Sequence, residues 1–121
     1  MEALLAILIP LLIQVESGGN NSAIGDNGNA VGCMQIWKIV VDDVNRIQKK
    51  EVFTYSDRLK RPESIRMAQI YLTHYGRAYE RKTGQKANME VLSKIWNGGP
   101  NGYKKQSTEK YWLKVKKESE K

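Results

Sequence analysis

The feature that most constrains this chain is its apolar start. Residues 3–13, ALLAILIPLLI, form an uninterrupted hydrophobic run of eleven residues. A bilayer-spanning helix needs about 20 such residues, so the run is too short to cross a membrane and calls for a cover of protein. Its upstream flank carries Glu2 and no Lys or Arg, and no small-residue cleavage site precedes Glu16. Both facts argue against a secretory signal. The reading is a buried first helix in a protein made in the cytoplasm. Pro10 is expected to kink or interrupt that helix, unless it falls in the first turn of a second one. The segment stops at Glu16-Ser17-Gly18-Gly19, where the glycines supply the left-handed conformations that end helices.

What covers that segment has to come from one modest core, because 121 residues make a single domain. We read residues 1–121 as that domain. At 40% hydrophobic and 27% charged, the composition is that of a globular chain rather than a disordered one. Cys33 is the sole cysteine, so no internal disulfide can help, which fits synthesis in a reducing compartment. One His and one Cys write no metal-ligand cluster, and neither a metal nor another cofactor is expected.

Residues 19–33 read as loop, with a turn signal at Asp26-Asn27-Gly28 around which a short hairpin can form. In MQIWKIVVDDVNRI, Ile36, Ile39, Val40, Val44 and Ile47 fall at helical spacing, with Lys38, Asp43 and Arg46 turned outward. The clearest helix is RPESIRMAQIYLTHYGRAYERKTG, with Pro62 in its first turn and Gly84 at its stop. Its expected buried face is Ile65, Ala68, Leu72, Tyr75 and Tyr79. Asn88 is placed to cap a short helix that ends at Gly98, and Ser107-Thr108 to cap a basic helix closing the chain. The expected fold class is mainly α, with five to six helices and at most a small hairpin in the 19–33 loop.

The net charge of +7 attracts polyanions of any kind. Residues 104–121 hold seven Lys and three Glu, which makes either a solvated helix face or a patch for an anionic envelope or nucleic acid. Three Trp and six Tyr against one Phe suit stacking on sugars or bases, and equally a plain core. Phosphate-loop chemistry is excluded, because GDNGNAVG lacks the lysine and the strand–loop–helix setting. The single His74 lies inside the long helix and reads as structural, so no nucleophilic triad can be assembled. Cys33 could act only beside a basic partner, and otherwise reads as a small buried residue.

Carboxylates remain. Glycoside cleavage needs a carboxylic acid that keeps its proton near neutral pH and gives it to the departing oxygen, and apolar surroundings favour that form. Glu16 follows Leu11, Leu12, Ile13 and Val15 and precedes a turn that can open to solvent. A carboxylate hydrogen-bonded near a helix end has the same sequence setting, and position alone does not choose between them.

The motif ESGGNNSAIGDNGNAVGCMQI resembles the signature of Slt-type lytic transglycosylases and the related goose-type lysozymes. In that family a Glu-Ser pair closes the first catalytic helix, a loop with a central Ala follows, and a Gly-Leu-Met-Gln-hydrophobic element opens the next helix. The counterparts here are Glu16-Ser17, Ala23 and Gly32-Cys33-Met34-Gln35-Ile36. IWNGG resembles the family's Ala-Tyr-Asn-Ala-Gly element, with Trp96 in place of the tyrosine and Asn97 and Gly99 kept. Thr108, Glu109 and Tyr111 are a looser counterpart of a Glu-Thr pair followed by Tyr, with the first two reversed. Three segments thus match in order between residue 14 and about 112, and the small size with WNGGPNGY looks most like phage-encoded lysozymes. Cys33 departs from the usual Leu. The loop is one residue longer than the commonest form and carries Asp26, ten residues after Glu16. Hydrolysing lysozymes often have a second carboxylate and single-acid transglycosylases need none, while Asp in a turn is also an ordinary turn former.

The resemblance implies a lysozyme-like domain that cuts the β-1,4 bond between N-acetylmuramic acid and N-acetylglucosamine on peptidoglycan strands, in the bacterial wall. Glu16 would be the general acid and Asp26 the candidate second carboxylate. Ser17, Met34, Gln35, Trp96, Asn97 and Tyr111 would line or orient the site, Tyr111 through a hydrogen bond to Glu16. A monomer without a membrane span or a specific nucleic-acid partner is expected. Two rival classes stay open: a peptidoglycan-binding module without turnover, and a basic helical nucleic-acid binder, which would explain the Lys-rich end but not the Glu-Ser loop. A membrane-active N-terminal helix is weaker still, since the apolar run lacks a basic flank.

Overall fold

A computed structural model describes residues 1–121. Five helices carry the fold: α1 (Glu2–Ser17), α2 (Lys38–Gln48), α3 (Arg61–Thr83), α4 (Met89–Gly98) and α5 (Glu109–Ser119). The only sheet is a hairpin of β1 (Ile24–Gly25) and β2 (Ala30–Val31), inside the 19–33 loop. The mainly helical expectation is borne out. No helix is long and apolar enough to cross a membrane. The chain forms two compact units, Met1–Val15 with Leu72–Lys121, and Glu16–Tyr71.

In the first unit, α1 buries Leu5, Leu8, Ile9, Leu12 and Ile13, the i, i+3, i+4 stripe of an amphipathic helix. Pro10 does not interrupt it, contrary to expectation. Pro10 and Ala6 both lie on the exposed side, so the carbonyl deprived of its partner by the missing N–H can turn to water. Asn88 caps α4 as its sequence indicates, its side chain accepting from the Val91 N–H at 2.9 Å. Two 3-10 turns, Gly102–Lys104 and Gln106–Thr108, then lead into α5. Thr108 stands at the N-cap position of α5 but makes no side-chain cap bond. It is 1% exposed, and its hydroxyl is shared between the carbonyls of Gly102 at 2.9 Å and Lys105 at 2.7 Å. The expected capping role is therefore replaced by closure of the preceding turn. Lys94 on α4 reaches Glu90 at 2.6 Å and Glu109 of α5 at 2.9 Å. The hydrogen bond that Lys94 donates to Glu90, then that to Glu109, raises its ammonium above the ordinary range.

In the second unit, α2 starts four residues later than MQIW suggests. Residues 34–37 are non-helical because Gln35 adopts a left-handed φ of 52° and Ile36 bridges back to Val31. The buried residues of α2 are Val41, Val44 and Asn45, while Ile39 is 72% exposed. Asn45 earns its core place by bonding the backbone of the next loop, accepting from Val52 and Phe53 and donating to the Phe53 carbonyl. Thr54 and Asp57 form a capping box at the 3-10 turn Tyr55–Leu59. The Thr54 N–H, against some burial and with help from Lys60, holds the Asp57 carboxyl below the usual range.

Helix α3 runs through both units and ends before Gly84, as its sequence indicates. Of its expected buried face, Ala68, Leu72 and Tyr79 are buried and Ile65 and Tyr75 are not, and the stripe widens to one side. Ser64, Met67, Ala68, Tyr71, Leu72 and Tyr79 are buried, while Ile65 and Tyr75 are half-exposed. Ser64 can occupy the core because its hydroxyl donates to the Arg58 carbonyl at 2.9 Å.

Candidate functional site

Glu16 occupies the last turn of α1 and is half-buried. That turn holds no basic residue. Gly18 and Gly19, at φ 64° and 91°, end the helix and release the chain into the loop. The Ser17 hydroxyl then works in two directions. It accepts from the Gly19 N–H at 3.1 Å and donates to the Cys33 carbonyl at 2.8 Å. One side chain thereby fixes the exit of α1 and joins the Glu-Ser pair to the Gly-Cys-Met-Gln element sixteen residues on.

Between these ends lies the hairpin, in the register Ile24↔Val31 and Gly25↔Ala30. Asp26, Asn27 and Gly28 take φ of 49°, 58° and 91° in succession. Asp, Asn and Gly are the residues that tolerate this region, which is why DNG turns here. The Asp26 carbonyl accepts from the Asn29 backbone and from its side-chain amide. The Asp26 residue itself is exposed.

A second reversal follows at once. Val31 and Ile36 exchange backbone bonds of 3.0 and 3.1 Å around Gly32–Gln35. The Gln35 amide donates to the carbonyls of Ala23 and Gly32, both at 3.1 Å, and so ties the second reversal to the strand entering the first. Gly32 has no alternative. A Cβ there would lie 1.7 Å from the Arg58 carbonyl oxygen. Cys33 and Met34 are 0% exposed, so both belong to the core. Burial pushes the Cys33 thiol up, despite Arg61 nearby, and a thiol held in that form is a poor nucleophile.

Of the residues singled out by sequence, Glu16, Ser17, Asp26, Met34 and Gln35 thus belong to one compact unit, Glu16–Tyr71. Trp96, Asn97 and Tyr111 belong to the other. Trp96 and Asn97 fall in the last turn of α4, with Trp96 half-buried and Asn97 exposed, and Tyr111 sits half-buried in the first turn of α5. Glu109 is engaged by Lys94. His74 packs edge-on against its neighbour Tyr75 at 4.7 Å. No group of three or more His, Cys, Asp or Glu side chains is arranged to hold a metal.

Two arginines matter to this loop although no motif marks them. Arg61, at the start of α3, donates to the Gly19 carbonyl. Arg58, only 7% exposed, donates to the carbonyls of Tyr55 at 2.8 Å, Ile36 at 3.1 Å and Asn29 at 3.4 Å. Their acceptors are backbone atoms brought near by folding, so the residue identities around them carry no periodic signal. The outcome is a polar, glycine-rich loop tied by hydrogen bonds at both ends and leaving directly from the half-buried Glu16.

Neither curated proteins nor solved structures give a match to the chain. A family model, described as the transglycosylase SLT domain, matches residues 1–119. That span takes in the Glu-Ser helix end, the tied loop and both later elements, and the chain belongs to the transglycosylase SLT domain family of peptidoglycan-degrading enzymes.

Proposed function

We propose that residues 1–121 form one catalytic domain, a muramidase that cuts peptidoglycan between N-acetylmuramic acid and N-acetylglucosamine with Glu16 as general acid. Glu16 gives its proton to the glycosidic oxygen as the bond to the anomeric carbon breaks. Positive charge develops on the sugar and is quenched in one of two ways. Water adds, giving a reducing muramic acid, or the muramic acid's own 6-hydroxyl attacks with Glu16 now taking a proton, giving the 1,6-anhydro sugar.

The observation that carries this reading is the 2.8 Å bond from Ser17 to the Cys33 carbonyl. It links the two halves of the motif and holds the segment beside the Glu16 carboxyl in one geometry, as general acid catalysis requires. The C-terminal end of a helix also carries negative partial charge, which opposes a carboxylate there. Ser17 and Gln35 act by fixing the loop, and Met34 by packing in the core. Trp96, Asn97 and Tyr111 are assigned to substrate contact by their motif positions. The WNGGPNGY segment, residues 96–103, favours a phage-type lysin, released from the cytoplasm onto the wall as a monomer, with its net positive charge drawn to the anionic envelope.

Glu16→Gln keeps the shape of the side chain and removes the proton. Release of soluble fragments from purified peptidoglycan should fall by about two orders of magnitude or more, with an unchanged unfolding midpoint. Turnover near wild type in that variant would remove Glu16 from the role. No release of new saccharide ends by the wild type would turn the reading into a binding module. Mass analysis of the products assigns the second step. Asp26→Asn tests the second carboxylate, since Asn suits the same turn. Loss of reducing-end products with unchanged stability assigns Asp26 as the base that activates water.

A further inference from the structure

One part of the second unit is not used by this mechanism. Gly28 and Asn29 of the hairpin, Trp37, Lys38 and Ile39 at the start of α2, and Arg58 line an open cleft of about 170 Å³. At its wall lies Arg58, a guanidinium that is 7% exposed and has no carboxylate partner among the ion pairs of the molecule. Burial pulls its proton affinity down, and the Tyr55 phenol, rather than any carboxylate, acts the other way. Its Nε and Nη1 are spent on backbone carbonyls of Tyr55, Asn29 and Ile36, and Nη2 has no protein acceptor. Buried charges are ordinarily paired with an opposite charge, and Arg58 has backbone carbonyls and the Tyr55 ring instead. An anionic ligand group in the cleft would therefore meet a guanidinium that no carboxylate neutralises.

Its surroundings define what kind of ligand. Lys38 stands 5.1 Å over the Tyr55 ring, and Arg58 lies 5.7 Å from that ring's centre, which places two cations around one aromatic. Asp42, a carboxylate beside this group, accepts from the Tyr55 hydroxyl at 2.8 Å, and Glu51 also acts on Tyr55. Trp37, 43% exposed, offers an indole face at the rim, a surface suited to a sugar ring. An aromatic plate beside a paired cation fits a carboxylate carried on a saccharide better than a neutral sugar or a bare anion.

We infer that the cleft between the hairpin and the start of α2 is a subsite for a carboxylate of the muramyl side chain, with Arg58 and Lys38 as its cations and Trp37 stacking on the attached sugar. This rests on the proposed action on peptidoglycan. The carboxylate has two possible sources, the lactyl acid of a peptide-free strand or a free carboxyl of the stem peptide, and the chemistry is the same for both.

The test uses the full chain carrying Glu16→Gln, to prevent cleavage, and four probes: the N-acetylglucosaminyl–N-acetylmuramic acid disaccharide, its muramyl-dipeptide derivative, and the methyl ester of each. Each acid should bind about tenfold more tightly than its ester if it meets the charged pair, and whichever acid shows the larger preference identifies the source. In NMR titrations the Arg58 Nε–H should shift with the acid and not with the ester, while the Trp37 indole N–H shifts with both. Arg58 also holds two loop carbonyls, so its replacement risks the fold. Lys38→Gln, at an exposed position, is the second variant and should cut the acid-over-ester preference severalfold. Equal binding of acid and ester, or an acid preference that leaves the Arg58 signal and the Lys38→Gln ratio unchanged, overturns the subsite. Either result leaves the glycosidase reading intact if the wild type still cuts peptidoglycan. An acid preference in a protein that does not cut would keep the subsite and remove the glycosidase.

Discussion

Two irregular segments of this molecule, residues 18–37 and 99–108, solve one problem by different means. Both carry backbone groups that no helix satisfies, and both rely on a glycine lying against the backbone of another element. Gly32 meets the carbonyl of Arg58, and Gly102 meets that of Lys94, where a Cβ would be 2.0 Å from the oxygen. The rest of their support differs. The 99–108 segment is closed by near neighbours, with Thr108 bonding Gly102 and Lys105 and Lys105 bonding Gly98, over three to seven residues. The 18–37 loop is held by donors from far along the chain. Ser17 reaches Cys33, Arg58 reaches Ile36, and Arg61 reaches Gly19 across 42 residues. A loop fixed by distant donors keeps its shape only when the unit around it is folded, whereas a loop fixed locally carries much of its shape with it.

The strongest test of this contrast is the pair of glycines. Gly32→Ala adds both a clash and a left-handed φ of 86°, and should cost about 3–5 kcal/mol in urea unfolding. Gly102→Ala adds the clash without a positive φ and should cost about 2–3 kcal/mol. Equal costs would mean that backbone strain at Gly32 contributes nothing.

The hydroxyls come next. Thr108→Ala removes a core methyl and a shared hydrogen bond, at about 2 kcal/mol, with turnover per folded molecule unchanged. Ser17→Ala should cost only about 1 kcal/mol yet lower turnover on peptidoglycan by about tenfold, because it frees the segment beside Glu16. If Ser17→Ala proves as active as the wild type, the loop is not what positions the acid.

The smallest effects come from pH. Asp57, in the second unit, has a folded pKa below the usual 3.8. The stability it contributes is present above that value and lost as pH falls through the folded one. Lys94, in the first unit, has a folded pKa above the usual 10.5. Its contribution is present below 10.5 and lost as pH rises through the folded value. Asp57→Asn should therefore flatten only the acid limb of a stability–pH curve and Lys94→Met only the alkaline limb. An alkaline limb left unchanged by Lys94→Met would remove that ion pair from the stability of the first unit.

How much could be read in advance follows the same division. The end of α3 at Gly84, the Asn88 cap and the DNG turn were legible because each depends on residues within a few positions of one another. The start of α2 was not. Its hydrophobic spacing runs back to Ile36, but the bridge from Ile36 to Val31 takes that residue into the loop's second reversal. On α3 the spacing shows Ala68, Leu72 and Tyr79 but not Ser64, which looks polar until the Arg58 carbonyl that satisfies it is in place. At the candidate site, Glu16, Ser17 and Gln35 stood out through their motif, while Arg58 and Arg61 gave no signal, their acceptors being main-chain oxygens that every residue possesses.

The sequence by itself determined where the apolar run ends, that a carboxyl group stands at that end, and that a glycine-rich turn follows it. Those are local matters of periodicity, side-chain chemistry and allowed φ. Only the tertiary structure decided that the turn is tied by distant donors, that Met34 is fully buried, and that Arg58 is buried without a carboxylate partner. Each of these depends on which backbone oxygen arrives next to which donor, and that is set by packing between segments tens of residues apart.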